Sequence, residues 1–176
     1  IRFLANDIEA TTVDPELLKE AKKIFSHHYH ANNGLFSELY PTAVEALEQL
    51  KASGFKLAVV TNKAIEFTLP LLDKKGISQY FDTVIGGDSC EHKKPHPAPV
   101  LLALDNLNSA AETAVFVGDS LNDAQAAKAA KLPCLIVPYG YNEGQALSKP
   151  EPGALVDDMH AVIRWIEVEN SKRQSN

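Results

Sequence analysis

Disulfides cannot organise this chain, because Cys90 and Cys134 are the only cysteines among its 176 residues. Two thiols make neither a disulfide framework nor a zinc site, and they suit a reducing cytoplasm. Long apolar runs are missing too. None approaches the ~20 residues of a membrane span, and no signal-peptide pattern is visible. Positive charge is in the minority: 17 Lys and Arg stand against 23 Asp and Glu, giving a net charge of -6. That balance argues against a nucleic-acid backbone as partner. Methionine occurs once, at Met159, and the chain opens with Ile1. Without an initiator, a left end that is missing or trimmed is expected. No internal repeat or low-complexity stretch is present. What remains is 45% hydrophobic and 23% charged, the composition of a globular domain long enough to bury a core.

The periodicities alternate. A helix is expected over 14–33, with Asp14 as its cap, Pro15 in its first turn and Asn33-Gly34 at its end. Its last turns carry His27, His28 and His30. They are open to a metal reading, although no acid or cysteine stands beside them and histidines suit a helix C-terminus. A helix over 41–53 leads to a strand over 55–60, then a helix over 65–75 and a short strand over 83–85. A helix through Val100, Leu104 and Leu107 precedes a strand over 114–117. An alanine-rich helix over 124–130 and strands over 134–137 and 154–156 follow. The closing helix runs over 159–168 on a stripe of Val162, Trp165 and Ile166, and a polar tail is expected to fray from Asn170. Strands alternating with helices predict an α/β fold: a Rossmann-like parallel sheet with helices on both faces.

In such a sheet all carboxyl ends share one edge, where open α/β folds place their chemistry. The stretch Val117-Gly118-Asp119-Ser120-Leu121-Asn122-Asp123 puts two acids four residues apart just past a strand. They suit Mg²⁺, and equally they suit the cap of the next helix. Thr61-Asn62 ends another strand, and Lys93-Lys94-Pro95-His96-Pro97 forms a loop near a third. Thr61 can donate to a phosphoryl oxygen, Lys94 can neutralise phosphate and a nearby nucleophile, and Asp119 can hold Mg²⁺. Singly, each reads as an ordinary strand end or solvated charge. Together, at matching strand ends, they read as a phosphate site.

The ordered set Val59-Val60-Thr61-Asn62, Gly86-Gly87-Asp88 before Lys93 to Pro97, Val117 to Asp123, and Tyr139-Gly140-Tyr141-Asn142 resembles the haloacid dehalogenase-like hydrolases. Within these it is most similar to the phosphoglycolate phosphatases, over at least residues 39–144. The resemblance implies that Thr61 and Asn62 bind substrate phosphate with Lys94. Lys94 and Asp123 serve catalysis, and Asp119 is the Mg²⁺ ligand. It implies a Mg²⁺-dependent phosphatase that hydrolyses a small phosphorylated acid, 2-phosphoglycolate to glycolate, through a phospho-aspartate. The alternatives are a sugar phosphatase or phosphoglucomutase on the same scaffold, or an inactive fragment without its nucleophile. The partner is a small phosphorylated metabolite, with no nucleic acid and no membrane. The chain departs from the family where Thr42 replaces a glycine after Tyr40-Pro41, Ala64 replaces a proline, and Lys131 replaces the glycine after the alanine-rich helix.

Two alignments compete over residues 1–14. In one, Ile1 to Ala5 is a strand, Asp7 the nucleophile and Glu9 the general acid, with Asn6, Glu9 and Ala10 as departures. In the other, favoured here, residues 1–38 are the remnant of a helical cap, 39–169 the core and 170–176 a disordered tail. The nucleophile is then absent. This second reading expects residues 1–5 outside the sheet, a gap between the strands ending at Thr61 and Gly118, and no phosphatase activity of the chain alone.

Overall fold

The computed structural model describes residues 14–140 and 149–174. Residues 1–13, and with them both readings of Asp7, lie outside the described residues. The chain divides into two compact units, 1–38 and 39–176.

In the first unit, α1 (Pro15–Asn32) is capped by Asp14, whose Oδ1 accepts from Glu16 N at 2.9 Å. None of its residues is buried, and Leu17, Ile24 and Phe25 are about half exposed. The Phe25 and Tyr29 rings stack at 5.2 Å. His27 and His28 meet edge to face. Among the described residues, no group of three or more His, Cys, Asp or Glu could hold a metal.

The second unit follows the alternation: α2 (Ala43–Ala52), β1 (Ala58–Val60), α3 (Ile65–Lys74), β2 (Thr83–Ile85), α4 (Ala98–Asn106), β3 (Phe116–Gly118), α5 (Leu121–Ala129), β4 (Cys134–Ile136), β5 (Gly153–Leu155) and α6 (Met159–Gln174). All pairings among the described residues are parallel: Val59 beside Val84, Val117 beside Leu135, and Leu135 beside Ala154. Alternation along β4 separates two helical layers. Leu135 faces a cluster with Leu50 of α2 and Val162 and Ile166 of α6. Cys134 and Ile136 face Val100 and Leu104 of α4 and Ala126 of α5. The strand is therefore buried on both faces, as an apolar parallel strand should be.

Two expectations are corrected. β1 starts at Ala58 rather than 55, because the Asp82 carboxylate takes the Leu57 N–H at 2.8 Å where a strand neighbour would. The final helix does not fray at Asn170 but continues to Gln174, held by a Lys172–Glu169 pair at 2.6 Å and by Ser171 Oγ donating to Glu167 O. The sheet is not continuous among the described residues. The strands form two sheets, β1-β2 and β3-β4-β5, with no ladder between β1 and β3. A groove of about 620 Å³ lies between these two edges.

Two departures from glycine leave a mark. Thr42 and Lys131 sit at φ of 67° and 63°, in the left-handed region that a side chain disfavours. Thr42 Oγ1 is also buried without a hydrogen-bond partner.

Candidate functional site

The site gathers where β1 and β3 end. Lys94 comes from the loop before α4, yet its Nζ donates to Val60 O at 2.6 Å and to Asp123 Oδ1 at 2.7 Å. It also lies 5.4 Å from the centroid of the Phe116 ring of β3. One ammonium thus joins the last residue of β1 to the first turn of α5. Its side chain is 11% exposed and that of Asp123 6%, so this is a buried, hydrogen-bonded ion pair.

Asn62 aims the lysine. Its Oδ1 accepts from Lys94 N and its Nδ2 donates to Lys94 O, each at 2.9 Å. The carboxamide grips one residue's backbone from both sides. This positioning duty was not legible in a residue expected only to bind substrate. Thr61 precedes it, and its Oγ1 accepts from Lys63 N at 3.2 Å, which turns the chain away from the strand and leaves the hydroxyl hydrogen to donate elsewhere.

Asp123 is both cap and ion-pair partner. Ser120 is the N-cap of α5 and forms a reciprocal capping box with Asp123. Asp123 Oδ2 accepts from Asp119 N and Ser120 N, each at 3.1 Å, and from Ser120 Oγ at 2.7 Å. Burial alone would push this carboxyl up. The charge and hydrogen bond of Lys94, with the donors of Ser120 and Asp119, outweigh burial and hold it below its ordinary range. The sequence left cap and site as rival readings of Asp123, and the same side chain does both. Ser120, which shapes the turn, was missed, although Ser three residues before an acid is a capping-box signal.

Asp119 stands half-buried at the mouth. A Cβ on Gly140 would overlap its carboxylate, and a Cβ on Gly118 would overlap the Asp123 side chain. Glycine at these two positions lets backbone close around both acids. The donor set suits Mg²⁺, which accepts one or two carboxylates and fills its shell with water and phosphate oxygens. Asp119 would be the direct ligand, since both oxygens of Asp123 already accept from Lys94, Ser120 and Asp119 N. Behind the site, burial and the negative charge of Asp123, against the opposing charge of Lys94, push the Cys134 thiol up to about 12, so it is inert.

The arrangement offers a fixed cation, a hydroxyl and a carboxylate past the ends of parallel strands, groups whose chemistry suits a phosphate. The family model described as "Haloacid dehalogenase-like hydrolase" matches residues 4–137. A phosphoglycolate phosphatase of Nitrosococcus oceani is 38% identical over 99% of this chain and 74% of its own length. One of Salmonella choleraesuis is 41% identical over 90% of this chain and 63% of its own length. The chain therefore spans about two thirds to three quarters of these curated relatives. A crystal structure of a Haemophilus somnus protein, titled a predicted phosphoglycolate phosphatase, superposes with a TM-score of 0.79 at 36% identity. The match covers 87% of this chain and 68% of that one.

Proposed function

Because the chain belongs to the haloacid dehalogenase-like hydrolase family, we propose that its carboxyl edge is the phosphate- and Mg²⁺-binding half of a phosphoric monoester hydrolase site. The substrate is a small phosphorylated acid, 2-phosphoglycolate, as the names of the relatives suggest. The observation that carries the reading is the buried Lys94 cation, fixed between Val60 O and Asp123 at the strand ends. Thr61 donates its hydroxyl to a phosphoryl oxygen. Lys94 offsets the charge of the phosphate and of the attacking carboxylate. Asn62 holds the lysine backbone in place, and Asp123 holds its ammonium. Mg²⁺ on Asp119 would neutralise phosphate oxygens and reduce their repulsion from the two acids.

The hydrolytic step is attack by a carboxylate on phosphorus, which breaks the P–O bond to the substrate alcohol and releases that alcohol after it takes up a proton; water then cleaves the phospho-aspartate to inorganic phosphate and the free carboxylate. Asp123 is unsuited to it, because both of its oxygens already accept hydrogen bonds. Among the described residues no ladder joins β1 to β3, which supports the reading in which this chain binds substrate but does not turn it over alone.

Phosphate release from 2-phosphoglycolate and a panel of sugar phosphates, with and without Mg²⁺, tests both statements. We expect Mg²⁺-dependent binding of 2-phosphoglycolate without release. Release that Asp7→Asn abolishes would make Asp7 the nucleophile. Tighter binding of a sugar phosphate would move the substrate to the alternative class.

A further inference from the structure

We infer that Asp88 is a positioning residue for the cation of this site: from the loop after β2 its carboxylate anchors the turn after β1, and through Asn62 it fixes where Lys94 stands. The inference deepens the phosphate-site reading and rests on it for the meaning of the cation, not for the linkage itself.

The turn needs an anchor from outside. Residues 61–64 join β1 to α3 and carry both Thr61 and Asn62. Asn62 is exposed, so packing does not orient it. The N-cap of α3 is Ala64, which has no side-chain oxygen to take a free N–H of the first helical turn.

Asp88 supplies that oxygen from 23 residues away. Its Oδ1 accepts from Ile65 N, the first residue of α3, at 2.8 Å. Its negative charge stands at the positive end of the helix. On either side of this bond, Gly87 N donates to Lys63 O at 2.7 Å and Thr61 N to Ile85 O at 2.9 Å. The loop that presents Asp88 is tied to itself, with Gly86 N donating to Ser89 Oγ at 2.8 Å and Ser89 N to Gly86 O at 3.1 Å. Two buried glycines permit the approach. A Cβ on Gly86 would come within 2.7 Å of Ile65 N, and one on Gly87 would overlap Asn62 O. β2 and its loop therefore hold the turn at residues 61, 62, 63 and 65.

The anchor reaches the cation through Asn62. The Asn62 carboxamide grips Lys94 N and O only while its own backbone keeps its place, and both bonds lie at the surface, where water competes for them. Lys94 then extends from this fixed backbone to Val60 O and Asp123. The same anchor sets Thr61, so hydroxyl and cation are placed together.

The test follows the Lys94 ammonium by NMR in the full chain with ¹⁵N-labelled lysine, which needs no ligand. It compares the native chain with Asp88→Ala, Asp88→Asn, Asn62→Ala and the Asp88→Ala/Asn62→Ala double variant. We expect Asp88→Ala to speed proton exchange of that ammonium about tenfold. Asp88→Asn, which keeps an Oδ1 acceptor, should stay within about twofold of native. The double variant should be no faster than Asn62→Ala, because the two residues act in series. A second arm titrates 2-phosphoglycolate with Mg²⁺, and its affinity should fall about tenfold in Asp88→Ala and recover in Asp88→Asn. Unchanged ammonium exchange in Asp88→Ala, an equal rise in Asp88→Asn, or additive effects in the double variant would overturn the inference, since a helix cap alone lowers the melting temperature without moving this signal. A native chain that shows the expected exchange pattern but binds no 2-phosphoglycolate would sink the phosphate reading and support the linkage.

Discussion

β3 and β4 are neighbouring parallel strands of the same length and similar apolar sequence, yet they differ in burial. Every residue of β4 is buried, Leu135 completely, whereas Val117 at the centre of β3 is 36% exposed. β4 has a strand on each side, and β3 has one only on its β4 side among the described residues. β1 is in the same position as β3, with β2 alone beside it among the described residues. The fully paired strand carries core, and its one reactive group, the Cys134 thiol, is inert. The two half-paired strands carry Thr61 and Asp119 at their ends, and Lys94 ties one to the other. The chemistry proposed for this molecule thus hangs from strands that, among the described residues, are paired on one side only.

The largest expected effect comes from cutting that tie. Asp123→Asn leaves the Lys94 charge buried without its counter-ion and should cost about 3–5 kcal/mol at neutral pH, measured by urea unfolding. The same group sets an acid limit. Its folded pKa is depressed, so its stabilisation is present above the ordinary carboxylate value of 3.8 and is lost as pH falls from there through the lower folded value. Melting temperature should drop over that interval more steeply in the native chain than in Asp123→Asn. Parallel acid limbs would detach the tie from stability.

Next come truncations of the two strand centres. Leu135→Ala should cost about 3 kcal/mol and Val117→Ala less than about 1 kcal/mol, because only the first opens a cavity. Equal losses would mean that β3 is as enclosed as β4.

A smaller gain is expected at the turn before α2. Thr42→Gly removes a left-handed β-branched residue and an unpaired buried hydroxyl, and after the added unfolded-state entropy should stabilise the core by about 1 kcal/mol. Exposed Lys131→Gly should gain no more than that.

The smallest effect is chemical. A thiol reagent should label half-exposed Cys90 and leave buried Cys134 untouched in the native state, without changing the melting temperature. Labelling of Cys134 under native conditions would mean that β4 opens as easily as its neighbour.

Much of the scaffold was legible in the sequence, for a local reason. The helix and strand periods, the Asp14 cap and the strand-ending Gly118 are all set within a few residues of themselves. The placement of Thr61, Asp119 and Asp123 just past parallel strands was legible too, because such strands share an edge. What escaped was set at a distance. Asn62 finds its partner 32 residues away and Lys94 reaches Val60 O across 34, and neither pairing leaves a periodic trace. β1 is shortened by a carboxylate 25 residues on, at Asp82. The length of α6 was misjudged because polar residues were read as fraying, although Glu169, Asn170 and Arg173 line the rim of the groove.

The central claim is that the ends of two half-paired strands make one Mg²⁺- and phosphate-binding site. Calorimetric titration of 2-phosphoglycolate into the chain in the presence of Mg²⁺, compared with Asp119→Asn, tests it most directly. The account predicts binding that needs the metal and is lost in Asp119→Asn, whose melting temperature stays close to that of the native chain. Metal-independent binding, or equal affinity in both proteins, would contradict it.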